Sequence, residues 1–161
     1  MATTSKKTYY WAGGLPLAPG SIVMPGNWYR IVSQTPGHHC ALREEIAEQV
    51  RLELYPELPS RKEGPFICDS LELLNTFLIN NPRPLDIIYE VEVVDATQKQ
   101  CTVDSDLTTL QNMHEGGRPL STHEHIEQAK RYWASSEIKE GIQRPEIITE
   151  SPIKIVRRVN T

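Results

Sequence analysis

Cysteine is scarce in this chain, and its cysteines have neither zinc-site nor CxxC spacing. Cys40, Cys68 and Cys101 are odd in number and far apart in the sequence, which favours free, mostly buried thiols in a reducing compartment. Long apolar runs are also missing. No stretch approaches the ~18 apolar residues of a membrane span, and the first residues have no run long enough for a signal peptide. We therefore expect a cytoplasmic protein without a membrane partner.

Basic charge is in deficit as well. Lysine and arginine number 17 against 21 aspartates and glutamates, a net charge of -4. Nucleic-acid-binding domains usually show a basic excess, so the composition argues against a dedicated nucleic-acid binder and allows at most a local basic groove. The phosphate-loop, dinucleotide, hydrolase-elbow and HExxH zinc motifs are all absent.

The size and composition are those of an ordinary globular domain. The 161 residues are 39% hydrophobic and 24% charged, and a chain of this mass buries ~69% of its surface on folding. Such a chain can form a core without metals or disulfides. We expect residues 1–161 to form one domain whose polar first residues, 1–8, are frayed.

Hydrophobic periodicity predicts three helices. Leu42, Ile46, Val50 and Leu54 recur every four residues and indicate a helix over 41–54. A cap at Asp69 or Ser70 opens a second helix over 70–80. A capping box that begins at Ser121 opens a third over 122–135.

Extended segments are predicted between and around these helices. β-Prone runs indicate strands over 9–11, 65–68, 87–94, 146–149 and 153–159, with a further short strand over 28–32. Residues 95–119 are polar and give no clear pattern. This mixed order favours an α+β fold over a regular βαβ series. The residues predicted to be buried are Leu42, Ile46, Val50, Leu74, Phe77, Ile88, Val91, Ile126, Trp133, Ile148 and Ile155.

Two clusters that contain histidine are candidate metal ligands. His123 and His125 are two apart on a predicted helix and point to different sides, so they do not share an ion easily. His38-His39-Cys40 is a ligand set, a Cys-His pair or a loop with no such role. The last is favoured because no further residue follows at ligand spacing. We expect no metal.

Carboxylates offer two further candidates. Asp104 and Asp106 form a DxD pair that suits Mg²⁺ but also occurs freely in polar loops, and the loop is favoured. Glu146 follows Pro145 and leads directly into a β-branched run. It either projects into a cleft at the mouth of a buried strand or deters pairing at a sheet edge, and the pattern does not separate these readings.

Several segments together resemble the ADP-ribosyltransferase fold. Residues 9–13 and 17–26 are similar to the opening of rifampicin ADP-ribosyltransferases. Residues 64–77 resemble the strand–helix unit of poly(ADP-ribose) polymerases, in which two aromatic residues line the nicotinamide pocket. Residues 146–156 resemble the closing pair of strands, which opens with the catalytic glutamate. The chain also resembles an uncharacterised family of small bacterial proteins, through residues 25–28, 59–61 and 132–133.

The resemblance implies a split, mostly antiparallel sheet with about three helices, NAD as co-substrate, and transfer of ADP-ribose to an unknown macromolecule or small molecule. It places Glu146 as the group that stabilises the ribosyl oxocarbenium ion. The NAD-binding residues that it implies are Tyr10, Trp11, Phe66 and Phe77 as an aromatic wall, Ser60 and Arg61 at the pyrophosphate, and Arg30 as a second phosphate contact. At the first-strand position where the resembled families have His or Arg, this chain has Trp11 or Ala12. The alternative is therefore a catalytically degenerate module that binds a partner protein or a nucleotide.

Overall fold

The computed structural model describes residues 6–108, 120–138 and 140–160. Much of the polar stretch 95–119, and residues 1–5 of the predicted frayed end, lie outside that range. The helices are α1 (Asn27–Gln34), α2 (Ala41–Leu54), α3 (Leu71–Asn80) and α4 (Thr122–Ala134). The strands are β1 (Tyr9–Gly13), β2 (Ile22–Val23), β3 (Phe66–Ile67), β4 (Ile87–Val93), β5 (Gln100–Asp104), β6 (Pro145–Thr149) and β7 (Ile153–Arg158).

The described strands form two sheets. One has the order β1-β4-β7-β2 and the other β3-β6-β5. Within each sheet, all the neighbouring strands pair antiparallel. An isolated bridge between Tyr10 and Cys68 links β1 to the end of β3, so the two sheets meet there. The predicted α+β class with mostly antiparallel pairing is confirmed. Within the described residues, none of the helices combines the length and the apolarity needed to cross a bilayer.

The strand predicted over 28–32 is wrong, because these residues lie in α1, and the described helices therefore number four rather than about three. The sequence there is aromatic and β-branched, which favours a strand locally. Contacts with α2 outweigh that preference: the Trp28 indole donates to Glu44 (3.1 Å) and the Tyr29 hydroxyl donates to Glu45 (3.1 Å). Gly26, at φ 94°, turns the chain into the helix, a conformation that glycine adopts without a steric penalty.

The largest buried side chains hold α4 against α2 and the second sheet. Trp133 and Tyr132 are fully buried, and the Trp133 indole donates to the carbonyl of Ala47 on α2 (2.8 Å). The predicted core residues that are buried are Ile46, Val50, Leu74, Ile88, Val91, Trp133, Ile148 and Ile155. Phe77 and Ile126 are half-buried and pack against the core.

Leu42 was predicted to be buried and is 51% exposed. Residues four apart advance about 40° beyond one full turn, so the row from Leu42 to Leu54 winds about one third of the way around the helix. Only its middle members, Ile46 and Val50, face the core. The rest of the buried face of α2 is Glu44, Ala47 and Arg51.

Candidate functional site

A cleft of about 1130 Å³ opens between β1, the segment that leads into α1, the start of α2, and the β3–α3 unit. Six of the eight residues implied by the resemblance line it: Trp11, Arg30, Arg61, Phe66, Phe77 and Glu146. A binding site of this size exceeds what a single drug-sized molecule fills. The cleft therefore has room for a large cofactor or for two ligands.

A small apolar pocket of about 50 Å³ adjoins the cleft. Phe66, Leu74, Phe77 and Glu146 line both the pocket and the cleft. Glu146 thus brings a carboxylate to the boundary between an aromatic pocket and an open cleft.

The sheet explains how Glu146 reaches this boundary. It is the second residue of β6, with β5 on one side, where Val103 opposes it, and β3 on the other. Alternation along the strand gives Glu146 and Ile148 the same face. Ile148 is fully buried, and Glu146 is 8% exposed at the strand's start.

Arg61 connects Glu146 to a second buried carboxylate. Its guanidinium binds Glu44 in a bidentate way, through Nε to Oε2 (2.9 Å) and Nη2 to Oε1 (3.0 Å). Its Nη1 donates to Glu146 Oε1 (3.2 Å) and to the hydroxyl oxygen of Tyr132 (2.5 Å). The Tyr132 hydroxyl donates to the same Oε1 (3.2 Å). We call Glu44, Arg61, Tyr132 and Glu146 the buried network.

Burial and charge shift the pKa values of Glu44, Arg61 and Tyr132. Burial by itself raises the pKa of Glu44, but the charge and hydrogen bonds of Arg61 outweigh it and lower that pKa to about 2. Burial by itself lowers the pKa of Arg61, and the neighbouring carboxylates and Tyr132 raise it well above its ordinary value. Burial raises the pKa of Tyr132 well above 10, so it remains a neutral phenol that can donate. Two aromatic rings also contact the Arg61 guanidinium: its central carbon lies 4.7 Å from the ring centre of Phe66 and 5.2 Å from that of Tyr132.

The network holds Glu146 by one oxygen. Oε1 accepts from Arg61 and from Tyr132, whereas Oε2 accepts no hydrogen bond from any residue in the described ranges. Arg61 is shared between Glu44 and Glu146, so Glu146 receives only part of the charge of Arg61. Glu44 also pairs with Arg43, whose Nη2 lies 2.9 Å from its Oε1. This arrangement presents a fixed, partly desolvated carboxylate to the pocket.

The described lining of the cleft is basic although the chain is acidic. It contains Arg30, Arg43, Arg61 and Arg83 against only Asp86 and Glu146, while the whole chain carries -4. Clefts lined by one sign of charge focus the electrostatic potential. The lining therefore favours a ligand with negative charge.

Trp11 supplies an aromatic wall at the opposite side. Its indole stacks on Tyr89 with ring centres 6.0 Å apart and lies over Gly13, where a Cβ would overlap the ring. Tyr10 points to the other face of β1 and packs in the core with Cys68, Leu74 and Ile88. It is not among the described residues that line the cleft.

Ser60 and Arg61 are adjacent in sequence but do different things. The Ser60 hydroxyl donates to Glu48 (2.7 Å) and its N–H donates to Glu150 (3.0 Å), and Ser60 lies outside the described lining of the cleft. Arg61 has five N–H donors, and the contacts with Glu44, Tyr132 and Glu146 occupy four of them. One donor is left for a pyrophosphate.

Sequence reasoning missed Glu44 and Tyr132 as members of the site. Residues 132–133 entered the sequence analysis only through the resemblance to an uncharacterised family, and Glu44 did not enter it. The signal that marks Glu44 is its spacing, because Glu44, Ala47 and Arg51 lie three and four apart and share one side of α2. The loop expected at the DxD pair is wrong: Asp104 is the last residue of β5, and Asp106 lies in a short 3₁₀ helix, Ser105–Thr108. Asp104 accepts the N–H of Asp106 (3.1 Å), and the Asp106 carboxylate pairs with Arg144 (3.0 Å).

Comparison with known proteins gives a family but no activity. No curated protein matches the chain. The model of the family described as "Protein of unknown function (DUF2441)" matches residues 25–161, a span that includes the whole buried network, Phe66 and Phe77, and leaves β1 outside. The chain therefore belongs to this family.

Proposed function

We propose that this protein is an NAD-dependent ADP-ribosyltransferase that transfers ADP-ribose from NAD to an acceptor. One observation carries the proposal. Glu146 is the second residue of β6, which pairs with β3. Its Oε1 is fixed by Arg61 and Tyr132, and it lines one pocket with Phe66 and Phe77. The resemblance assigns these same three residues to a catalytic glutamate and two nicotinamide-binding aromatics.

The chemistry requires a carboxylate at this place. The bond between nicotinamide and C1 of the ribose breaks, nicotinamide leaves as a neutral molecule with the bonding electron pair, and positive charge develops on the ribosyl group. A fixed carboxylate stabilises that charge more strongly in the transition state than in the ground state. The acceptor nucleophile then bonds to C1 and loses its proton. Phe66 and Phe77 offer faces on which the nicotinamide ring stacks.

The basic lining supports binding of the NAD pyrophosphate. Arg30 and Arg43 line the cleft, and arginine matches phosphate oxygens with paired donors. Arg61 is mostly occupied by the buried network and Arg43 is paired with Glu44. We therefore assign Arg61 to holding Glu146 and assign the pyrophosphate first to the exposed Arg30.

A second candidate function is a nucleotide-binding module without catalysis. Trp11 favours it, because the resembled families have His or Arg at this first-strand position and the Trp11 indole is instead packed over Gly13 and Tyr89. An indole has a single donor and cannot replace a guanidinium. The same cleft would then bind a nucleotide that stays intact.

Two readouts on one sample separate these functions. NAD at ~100 times its dissociation constant adds ~2.7 kcal/mol of stability, which raises the Tm of a domain of this size by several degrees. Release of nicotinamide, with label from the adenosine half of NAD appearing in an acceptor from a cell lysate, indicates the transferase. A Tm shift without nicotinamide release indicates the module, and the absence of both at millimolar NAD contradicts both functions.

A further inference from the structure

The turn before α2 brings three metal-ligating side chains together. The ligand atoms of His38, His39 and Cys40 all lie within 4.8 Å of one another, and among the described residues this is the one group of three or more His, Cys, Asp and Glu side chains placed to hold a metal ion. The sequence did not favour a site here because no further residue follows at ligand spacing.

Local geometry explains why these side chains converge. Gly37 has φ 68° and reverses the chain, and the N–H of Cys40 donates to Nδ1 of His38 (3.1 Å). The His38 and His39 rings stack at 4.7 Å with only 12° between their planes, and Trp28 contacts His38 edge-on at 5.6 Å. Both rings therefore lie on one side of the turn, close to the thiol.

We infer that His38, His39 and Cys40 form a binding site for Zn²⁺ with one coordination position open to the cleft. Two imidazole nitrogens and one sulfur are ligands that zinc prefers, and three protein ligands with an open fourth position is the pattern of non-structural zinc sites. All three residues line the cleft, so the open position faces the space where a ligand would lie. This inference does not depend on the proposed transferase activity.

Binding requires only small adjustments. Zinc bond lengths of ~2.0–2.3 Å place tetrahedral ligand atoms about 3–4 Å apart, so side-chain rotation must bring the ligand atoms about 1 Å closer. His39 is exposed and can rotate, whereas Cys40 is buried at 2% exposure and fixes one ligand. The Cys40 proton passes to solvent when its sulfur binds the ion. The thiolate offsets part of the ion's charge beside the arginines of the cleft, and the fourth position takes water or an anionic group of a ligand.

The test uses the metal alone on the full chain. Calorimetry with Zn²⁺ should show saturable binding of one ion, and Co²⁺ in its place should give a sulfur-to-cobalt absorption band. His39→Ala changes an exposed side chain. It should weaken Zn²⁺ binding by more than ~100-fold, because losing a residue that merely hydrogen-bonds to a metal ligand already costs ~10–100-fold. Cys40→Ser should abolish the cobalt band, and the controls His123→Ala and Cys101→Ser should leave both signals unchanged.

Three outcomes would overturn the site: no saturable Zn²⁺ binding by the wild type, unchanged affinity in His39→Ala, or a cobalt band that survives in Cys40→Ser. If Cys40→Ser does not fold, the affinity of His39→Ala decides alone, because an exposed side chain can be removed without disturbing the core.

Discussion

Glu44→Gln tests whether the buried network carries charge in the folded protein. The substitution keeps the shape of the side chain and removes the negative charge that Arg61 binds at 2.9 and 3.0 Å. Arg61 lowers the pKa of Glu44 from 4.5 to about 2. At about 1.4 kcal/mol per unit of pKa, this difference corresponds to about 3 kcal/mol of stability at neutral pH. We expect Glu44→Gln to lose that amount, which agrees with the 3–5 kcal/mol typical of breaking a buried ion pair.

The pH dependence identifies the cause. A carboxyl whose pKa is lower in the folded state stabilises the fold fully above its unfolded pKa, and this stabilisation is lost as the pH falls through the folded pKa. For Glu44 these two pKa values are 4.5 and about 2. Glutamine imitates the protonated carboxyl, so the wild type should lose stability relative to Glu44→Gln over this window. The difference between them should be constant from about pH 6 to pH 8 and about 2 kcal/mol smaller at about pH 3.

Urea unfolding, followed by tryptophan fluorescence at each pH, measures both quantities. Glu45→Gln is the matched control: Glu45 is the next residue of α2, its side chain is 50% exposed, and it pairs with Lys62 at the surface. A surface pair contributes at most ~1 kcal/mol, so this variant should differ little from the wild type. A Glu44→Gln variant as stable as the wild type at neutral pH would refute the charged network. A loss that did not change with pH would refute its assignment to the Glu44 charge.

Three further stability predictions follow from packing and capping, each measured by urea unfolding. Leu74→Ala removes a 5% exposed side chain and should cost ~2–5 kcal/mol, whereas Leu42→Ala should stay within ~0.5 kcal/mol; equal losses would mean that the faces are wrongly assigned. Ser121→Ala removes the side chain that accepts the N–H of Glu124 at the start of α4, and it should cost ~1 kcal/mol. An unfolding midpoint equal to that of the wild type would contradict this prediction. Gly13→Ala drives a methyl group into the Trp11 indole and should cost ~1–3 kcal/mol, and a stabilised variant would show that the ring lies elsewhere.

Strongly periodic and well-capped segments could be predicted from the sequence almost to the residue. The helix expected over 41–54 is observed with those bounds, and the strand expected over 87–94 is observed as Ile87–Val93. Asn27–Gln34 could not be predicted, because its helical state depends on hydrogen bonds to α2 that have no local signal. Strand β5 alternates polar and apolar residues, but over only the five residues Gln100–Asp104. A signal this short inside a long polar stretch did not mark a strand, and pairing with β6 holds β5 in place.

The candidate site also contains residues that the sequence could place and residues that it could not. Glu146, Phe66 and Phe77 could be placed from the order of segments that resemble a known fold, and the structure brings them to one pocket. Glu44 and Tyr132 were not placed. Spacing along α2 can put Glu44 on the buried side of the helix, but its role and that of Tyr132 depend on Arg61, which is 17 and 71 residues away along the chain. Sequence reasoning assigned Arg61 to the pyrophosphate because arginine binds phosphate oxygens with paired donors, and it had no means of seeing that buried carboxylates and a phenol use most of those donors.

Turnover and affinity in the Glu146→Gln variant test the proposed function most directly. If the Glu146 carboxylate stabilises the ribosyl cation, nicotinamide release from NAD should fall ~10²–10³-fold, by analogy with the loss of one oxyanion-hole donor. NAD affinity should change far less, because Phe66, Phe77 and the arginines of the cleft remain. Glu137→Gln, an exposed carboxylate after α4, should match the wild type in both. Unchanged nicotinamide release in a folded Glu146→Gln variant would contradict the account.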